Sequence, residues 1–253
     1  MRLISLQSGS NGNCIYVEAG GVRLLFDAGI SGKQAALRLA GQGRVITGVD
    51  GLIISHEHSD HMRCAGIYQR RFGMPLYVTE KTLSAARSSC DPGKLADVCH
   101  FKAGGTMCFG HVKVETIPTP HDGADGVCFI VDDGTSRLGI FTDLGHVYAD
   151  LVSAIESVDA ALIESNYDPE MLMKGPYPRY LKARIAGPEG HISNIESAEL
   201  LAAHGSRLRW ACLGHLSGEN NTPELALRTH HKINTGMVCH LAGRDGAGDV
   251  LVV

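Results

Sequence analysis

Seven residues, Ser55-His56-Glu57-His58-Ser59-Asp60-His61, constrain this chain more than any others. They follow Gly51-Leu52-Ile53-Ile54, an apolar run that reads as a buried strand. Imidazole and carboxylate at this density are the ligand types that hold zinc, manganese or iron. His56 and His58 share parity on an extended chain, so both can reach one ion. Asp60 and His61 come after the chain bends and can reach a second. A polar surface loop accounts for a single histidine. It does not account for four such ligands at the end of a buried strand.

The chain has 253 residues, enough to bury a sizeable core in one domain, expected to span residues 1–253. Hydrophobic residues make up 44% and charged residues 20%, ordinary values for a globular enzyme. The net charge of −4 gives no global footprint for nucleic acid, so any such binding must use a local patch. The eight cysteines form no C-x-x-C pair and several lie in apolar strands, which reads as reduced thiols and not a disulfide framework. No leader pattern or membrane-length apolar stretch is present, and a cytoplasmic location without membrane association is expected.

Short apolar runs punctuated by Gly, Pro, Asn and Asp predict strands at Arg2–Leu6, Ile15–Ala19, Val22–Phe26, Leu52–Ile54 and Leu76–Val78. Further strands are expected near Met107–Phe109, Val112–Ile117, Gly126–Val131, Leu138–Phe141, Ala160–Ile163, Leu208–Leu213 and Met237–Leu241. Helices are expected at Gly32–Leu39, Met62–Phe72, Glu80–Ser88, Val147–Glu156, Asn194–Ala203 and Pro223–His230. Ser165–Pro188, rich in Pro and Tyr, reads as irregular. On pattern alone this is an α/β layered enzyme fold.

His56, His58, Asp60 and His61 resemble the HxHxDH signature of the metallo-β-lactamase-fold hydrolases, and the resemblance continues along the whole chain. It implies an α/β fold of a specific kind: a four-layer αβ/βα sandwich, two mixed sheets with helices outside and a metal site at one edge. It also implies a site built from strand ends. His121 matches the third histidine ligand, Asp143 the metal-bridging aspartate, His215 the last histidine and Asp27 a supporting aspartate. His56, His58 and His121 would hold one divalent ion, and Asp60, His61 and His215 a second. Zn2+ and Mn2+ suit the set, and Fe2+ accepts it. The lactam-cleaving branch often uses a late cysteine ligand. Here that position falls on Asp143, which favours phosphoester, thioester or other dinuclear chemistry.

Two segments narrow the comparison. Glu164-Ser165-Asn166-Tyr167-Asp168 and Gly190-His191-Ile192-Ser193-Asn194 resemble the Glu and His pair of the tRNA 3′-processing enzymes of this fold. There the Glu orients a His that assists phosphodiester cleavage, so Glu164, His191 and Asp60 are the expected catalytic residues. Together with Ser8–Cys14 and His215-Leu216-Ser217-Gly218-Glu219-Asn220-Asn221, these segments look like the bacterial WalJ (YycJ)-like exonuclease group. The stretch between Asp143 and His191 is too short for the β-CASP insert of the large RNA-processing relatives.

Substrate contacts are expected from the Gly9–Asn13 turn, through Ser10, Asn11 and Asn13, and from an acid-free basic stretch. That stretch carries Lys174, Arg179, Lys182 and Arg184, with Tyr177 and Tyr180 between them to stack on bases. The expected activity is a dinuclear metal-dependent phosphodiesterase. DNA is the expected substrate, cut exonucleolytically from 5′ to 3′ with a metal-bridging hydroxide as nucleophile. The alternatives are a small-nucleotide phosphodiesterase, an RNA-processing nuclease of the same fold, and a regulatory protein that keeps the fold without turnover.

Overall fold

The computed structural model describes residues 1–253. The first half runs β1 (Arg2–Gln7), β2 (Cys14–Ala19), β3 (Val22–Phe26), α1 (Gly32–Gly41), β4 (Gly51–Ile53), α2 (Ser59–Met62), α3 (Ala65–Phe72), β5 (Leu76–Val78), α4 (Glu80–Ser89) and β6 (Val98–His100). It continues through β7 (Thr106–Phe109), β8 (Val112–Pro118), β9 (Val127–Asp132), β10 (Arg137–Phe141), α5 (Ala149–Ser157), β11 (Ala160–Glu164), α6 (Pro169–Lys174) and α7 (Arg179–Ile185). The remainder is α8 (Asn194–His204), β12 (Ala211–Gly214), α9 (Pro223–Ile233), β13 (Cys239–Leu241) and β14 (Leu251–Val252).

The strands form two seven-stranded sheets, ordered β14-β1-β2-β3-β4-β5-β6 and β13-β12-β11-β10-β9-β8-β7. Each is mixed. The β1–β3 and β7–β10 stretches are antiparallel, whereas β3–β6 and β10–β13 are parallel. Gly20 and Gly21 join β2 to β3 with φ of 53° and 85°, the two positive values a tight hairpin of this kind needs. The central parallel strands β4 and β11 are buried throughout, as sheets covered on both faces require. The edge strand β7 instead alternates exposed and buried.

Three apolar clusters define four layers. Leu24, Phe26, Val114, Phe129 and Leu162 lie in the cluster between the sheets, and the Phe26 and Phe129 rings stand 5.0 Å apart there. Ala35, Leu39, Tyr68 and Ala86 pack α1, α3 and α4 onto the outer face of the first sheet. Leu151, Ile155, Leu201 and Ala226 pack α5, α8 and α9 onto the second. This is the expected αβ/βα sandwich.

Several local expectations need correction. Met62–Phe72 is not one helix: α2 is a single turn, and the chain breaks at Arg63 and Cys64. The Arg63 guanidinium donates to the carbonyls of Gly29 and Asn11, and Cys64 N–H to Ala28 O, docking this segment onto two loops. Ser165–Pro188 is not irregular either. Asp168 caps α6 by accepting from Met171 N–H with Pro169 behind it, and Pro178 precedes α7. Proline at a helix start is favourable, so these residues delimit helices. The strand expected from Leu208 begins at Ala211, and the short strands β6 and β14 carried too little pattern to be seen. No helix is long and apolar enough to cross a membrane, and all eight cysteines are free.

Candidate metal centre

The strand ends of both sheets meet at one edge. Asp27 follows β3, Ser55–His61 follow β4, His121 follows β8 and Asp143 follows β10; Glu164 closes β11 and His215 follows β12. Asp27, Asp143 and His215 hold φ of 64°, 59° and 53°. Side chains other than glycine rarely adopt this region, although Asp and His enter it more readily than most. Such strain is tolerated where the surrounding structure fixes it, and it recurs at functional sites. Gly29 braces the ligand loop from below: a Cβ there would lie 1.6 Å from Asp60 O. Ala28 N–H donates to His61 O and Asn13 N–H to Asp60 O, which fixes the bend of the HxHxDH segment.

The donor atoms form four overlapping groups, two of which contain Asp143: His56, His61 and Asp143, and Asp143, Glu164, His191 and His215. Those of His56, His58 and His121 lie within 4.8 Å of one another, as do those of Asp60, His61 and His215. Asp143 stands between them. Its Oδ2 is 3.2 Å from His61 Nε2, and its Oδ1 is 3.6 Å from both His121 Nε2 and His215 Nε2. His58 Nδ1 is 3.3 Å from His121 Nε2, and His61 Nε2 is 3.4 Å from Asp60 Oδ2. Donors bound to one tetrahedral ion at about 2.0–2.2 Å sit roughly 3.3–3.6 Å apart. His56 Nε2, His215 Nε2 and Asp143 Oδ2 are moreover buried without a hydrogen-bond partner. Unpaired buried polar atoms are costly, and coordination removes that cost. The residues therefore fit divalent metal.

Each imidazole of the cluster places one nitrogen inward and has a partner near the other. Asp27 Oδ2 is 2.7 Å from His61 Nδ1, and the Ser55 hydroxyl is 3.0 Å from His56 Nδ1. Gly190 O is 2.9 Å from His121 Nδ1, and Glu164 Oε1 is 2.8 Å from His215 Nδ1. Asp122 Oδ1 stands 3.4 Å from His58 Nε2. Outer partners of this kind fix tautomer and ring orientation at metal sites.

The electrostatics agree with a cation site. Burial alone would lower the pKa of His61, but Asp143, Asp27 and Asp60 more than reverse this and carry it well above its ordinary value. His215 behaves alike: burial opposes, and Asp143, Asp60 and Glu164 raise it to about 10. Burial pushes the Asp143 carboxyl up, but His215, His61, His56 and His121 hold it well below its usual range. His56 goes the other way, lowered by burial and by neighbouring His61. The carboxylates around His61 and His215 thus favour positive charge in this part of the site.

Glu164 is fully buried and serves two histidines at once. Its Oε1 is 2.8 Å from both His191 Nδ1 and His215 Nδ1, while Oε2 accepts from Leu144 N–H at 2.9 Å. Burial raises its pKa, but the opposing pull of His191 and His215 leaves it at about 2. His191 sits at the rim, its side chain 18% exposed, with Nδ1 4.0 Å from Asp143 Oδ1.

The expected substrate residues divide. Asn13 turns inward, accepting from Gly9 N–H and placing Nδ2 2.9 Å from His61 Nε2. Asn11 donates to the Asp245 carboxylate, and Ser10 is exposed. In the basic stretch, Arg184 is paired with Asp122, Lys174 with Glu170, and Lys182 donates to Met173 O. Arg179 makes no ion pair, and Tyr180 is 76% exposed. Sequence reasoning missed Ser8, whose hydroxyl accepts from His215 N–H at 2.8 Å, and Asn166, which donates to His215 O at 2.7 Å. It also missed Glu57, whose carboxylate accepts from Ala124 N–H and anchors the loop after His121. All three lie inside the segments singled out in the sequence, but their roles depend on backbone partners that only the fold supplies.

A four-layer αβ/βα sandwich with this donor set at its edge defines a metal-dependent hydrolase of the metallo-β-lactamase fold. The chain belongs to that superfamily: the model of the beta-lactamase superfamily domain matches residues 22–215. It is 39% identical over 227 residues to exodeoxyribonuclease WalJ of Streptococcus pneumoniae serotype 2 (strain D39), covering 88% of this chain and 84% of that protein. It is 34% identical over 222 residues to exodeoxyribonuclease YycJ of Bacillus anthracis, covering 87% and 84%. Among solved structures, the metallo-beta-lactamase fold protein YhfI from Bacillus subtilis superposes with a TM-score of 0.74 at 15% identity, over 99% of this chain and 98% of that one.

Proposed function

We propose that this protein is a divalent-metal-dependent exodeoxyribonuclease acting 5′ to 3′. His56, His58 and His121 would hold one ion and Asp60, His61 and His215 another, with Asp143 placed to serve both. The observation that carries this reading is the Glu164–His191 pair beside the ligand cluster, in a chain that shares 39% identity with a protein named as an exodeoxyribonuclease. Bound cations supply Lewis acidity at the phosphoryl group and lower the pKa of water. The chain's own residues do the rest. Glu164 accepts from His191 Nδ1 and so turns Nε2 outward, where a protonated ring can donate to a leaving oxygen. Asp60 combines a ligand role with a catalytic one, and its pKa stays far below the usual carboxylate range against the upward push of burial, because His61 and His215 stabilise the anion. Arg179, Lys182, Tyr177 and Tyr180 supply charge and stacking for a strand, and Ser10 and Asn11 add polar contacts. Arg184 joins them only by leaving Asp122.

One observation favours the small-nucleotide alternative: much of the basic stretch is already paired, which weakens its pull on a polyanion. The discriminating experiment strips metal from the purified protein and reloads Zn2+ and Mn2+ separately. Each form is assayed on end-labelled single- and double-stranded DNA, RNA, circular DNA and a chromogenic phosphodiester. The proposal expects mononucleotides released from 5′ ends of linear DNA and none from circles. Equal cutting of circles rules out the exonuclease, and turnover of the chromogenic diester alone moves the assignment to a small substrate.

A further inference from the structure

Arg244 lies in the loop after β13, beside the Asp60, His61 and His215 end of the centre. Ser8 N–H donates to Gly243 O, tying this loop to the end of β1, and the Ser8 hydroxyl in turn holds His215 N–H. The guanidinium is placed by two glycines. A Cβ on Gly9 would come within 3.1 Å of Nη1. A Cβ on Gly218 would come within 2.8 Å of Cζ, 2.9 Å of Nη2 and 3.0 Å of Nε. These near-equal distances put Gly218 over the plane of the group and not off its edge. Nη1 donates to Leu216 O, the carbonyl next to His215, at 3.1 Å. Nε and Nη2 have no partner in the fold.

No carboxylate lies within ion-pair distance of Arg244. The adjacent Asp245 is turned to Asn11 Nδ2. The other arginines bordering the centre are engaged: Arg184 by Asp122, and Arg63 by the carbonyls of Gly29 and Asn11. Arg244 is therefore a half-buried, permanently charged group with a bidentate edge to spare, under an exposed glycine at the rim. That edge matches the geometry of phosphate oxygens.

We propose that Arg244 is a phosphate subsite. It receives a phosphate of the substrate strand that flanks the one being cut, beside the Leu216–Gly218 loop. The inference rests on the nuclease reading and deepens it, because a strand held at a flanking phosphate as well as at the centre is fixed in register.

The test compares wild type, Arg244→Gln, Arg244→Lys and Gly218→Ala. Metal-free protein is titrated against fluorescein-labelled single-stranded DNA, and metal-loaded protein is assayed on the same strand and on bis(p-nitrophenyl) phosphate, which has no flanking phosphate. Metal content and melting temperature are measured in parallel. Arg244→Gln should weaken strand binding and lower kcat/KM on the strand on the order of ten- to a hundredfold more than on the small diester. Lysine should restore part of the loss. Gly218→Ala, which crowds only a movable side chain, should reproduce the loss with normal metal content. Strands with a 5′-phosphate and a 5′-hydroxyl distinguish a terminal phosphate from an internal one. A wild type that cuts the strand while Arg244→Gln cuts it equally well, or loses equally on both substrates, overturns the subsite alone. A wild type that turns over the small diester but neither binds nor cuts DNA overturns the nuclease reading and the subsite with it.

Discussion

Asp122 takes the guanidinium of Arg184 on Oδ2, at 2.6 and 2.7 Å, and stands with its other oxygen 3.4 Å from His58 Nε2. His58 Nδ1 is the nitrogen that faces His121 Nε2. The same oxygen is 3.4 Å from His121 Nε2, so Asp122, steadied by a residue from α7, lies between His58 and His121.

Asp122→Asn should therefore weaken metal held by His56, His58 and His121 by roughly ten- to a hundredfold, the usual effect of losing an outer carboxylate. Competition against a chelator measures it directly. Affinity equal to wild type would show that Asp122 serves only Arg184.

Asp143 is the one carboxylate within 3.6 Å of donors from both groups. Wild type should bind close to two ions per chain by elemental analysis. Asp143→Ala should bind fewer and lose most turnover, since both groups lose a donor. An alanine variant that still holds two ions would remove Asp143 from its bridging position.

The HxHxDH cluster was legible because four ligand-type side chains lie within six positions after an apolar strand, so local spacing alone brings them together. The sandwich was legible for a similar reason: the short apolar runs survive as strands in nearly the expected places. The double role of Glu164 was not. It depends on β11 and β12 being parallel neighbours with Glu164 opposite Gly214, which sets the carboxylate beside the following His215. Asp122 and Arg184 meet across 62 positions of chain, and Arg244 reaches the centre from the end of the molecule. Only the tertiary fold creates these juxtapositions. The α6–α7 stretch was misjudged because its prolines mark helix starts, a position where sequence composition alone resembles a loop.

His230 offers a pH prediction away from the metal ligands. It is 1% exposed, its Nε2 stands 3.2 Å from the Ser165 hydroxyl, and Nδ1 has no partner. Burial lowers its pKa from 6.5 to about 4. Between those values the unfolded chain binds more protons than the native one, so stability falls as pH drops through this window. The contribution is on the order of 3 kcal/mol by the lower end. Urea titrations of metal-free protein at pH 7 and pH 5 should show a smaller loss for His230→Gln than for wild type. Parallel losses in the two proteins would assign the acid sensitivity elsewhere.

His191 separates proton transfer from metal binding. Its Nδ1 is occupied by Glu164 and its ring lies at the rim, although its donor atom also groups with those of Asp143, Glu164 and His215. His191→Ala should keep its metals and lose about 10²–10⁴-fold in turnover on DNA, whose leaving oxygen needs a proton. On an activated aryl diester, which needs none, the loss should be far smaller. Glu164→Gln should behave differently, because Oε1 also supports His215. It should lower metal affinity and turnover together, on both substrates. If His191→Ala sheds an ion, the residue belongs among the ligands. If it slows both substrates alike, His191 positions the phosphate and another group supplies the proton.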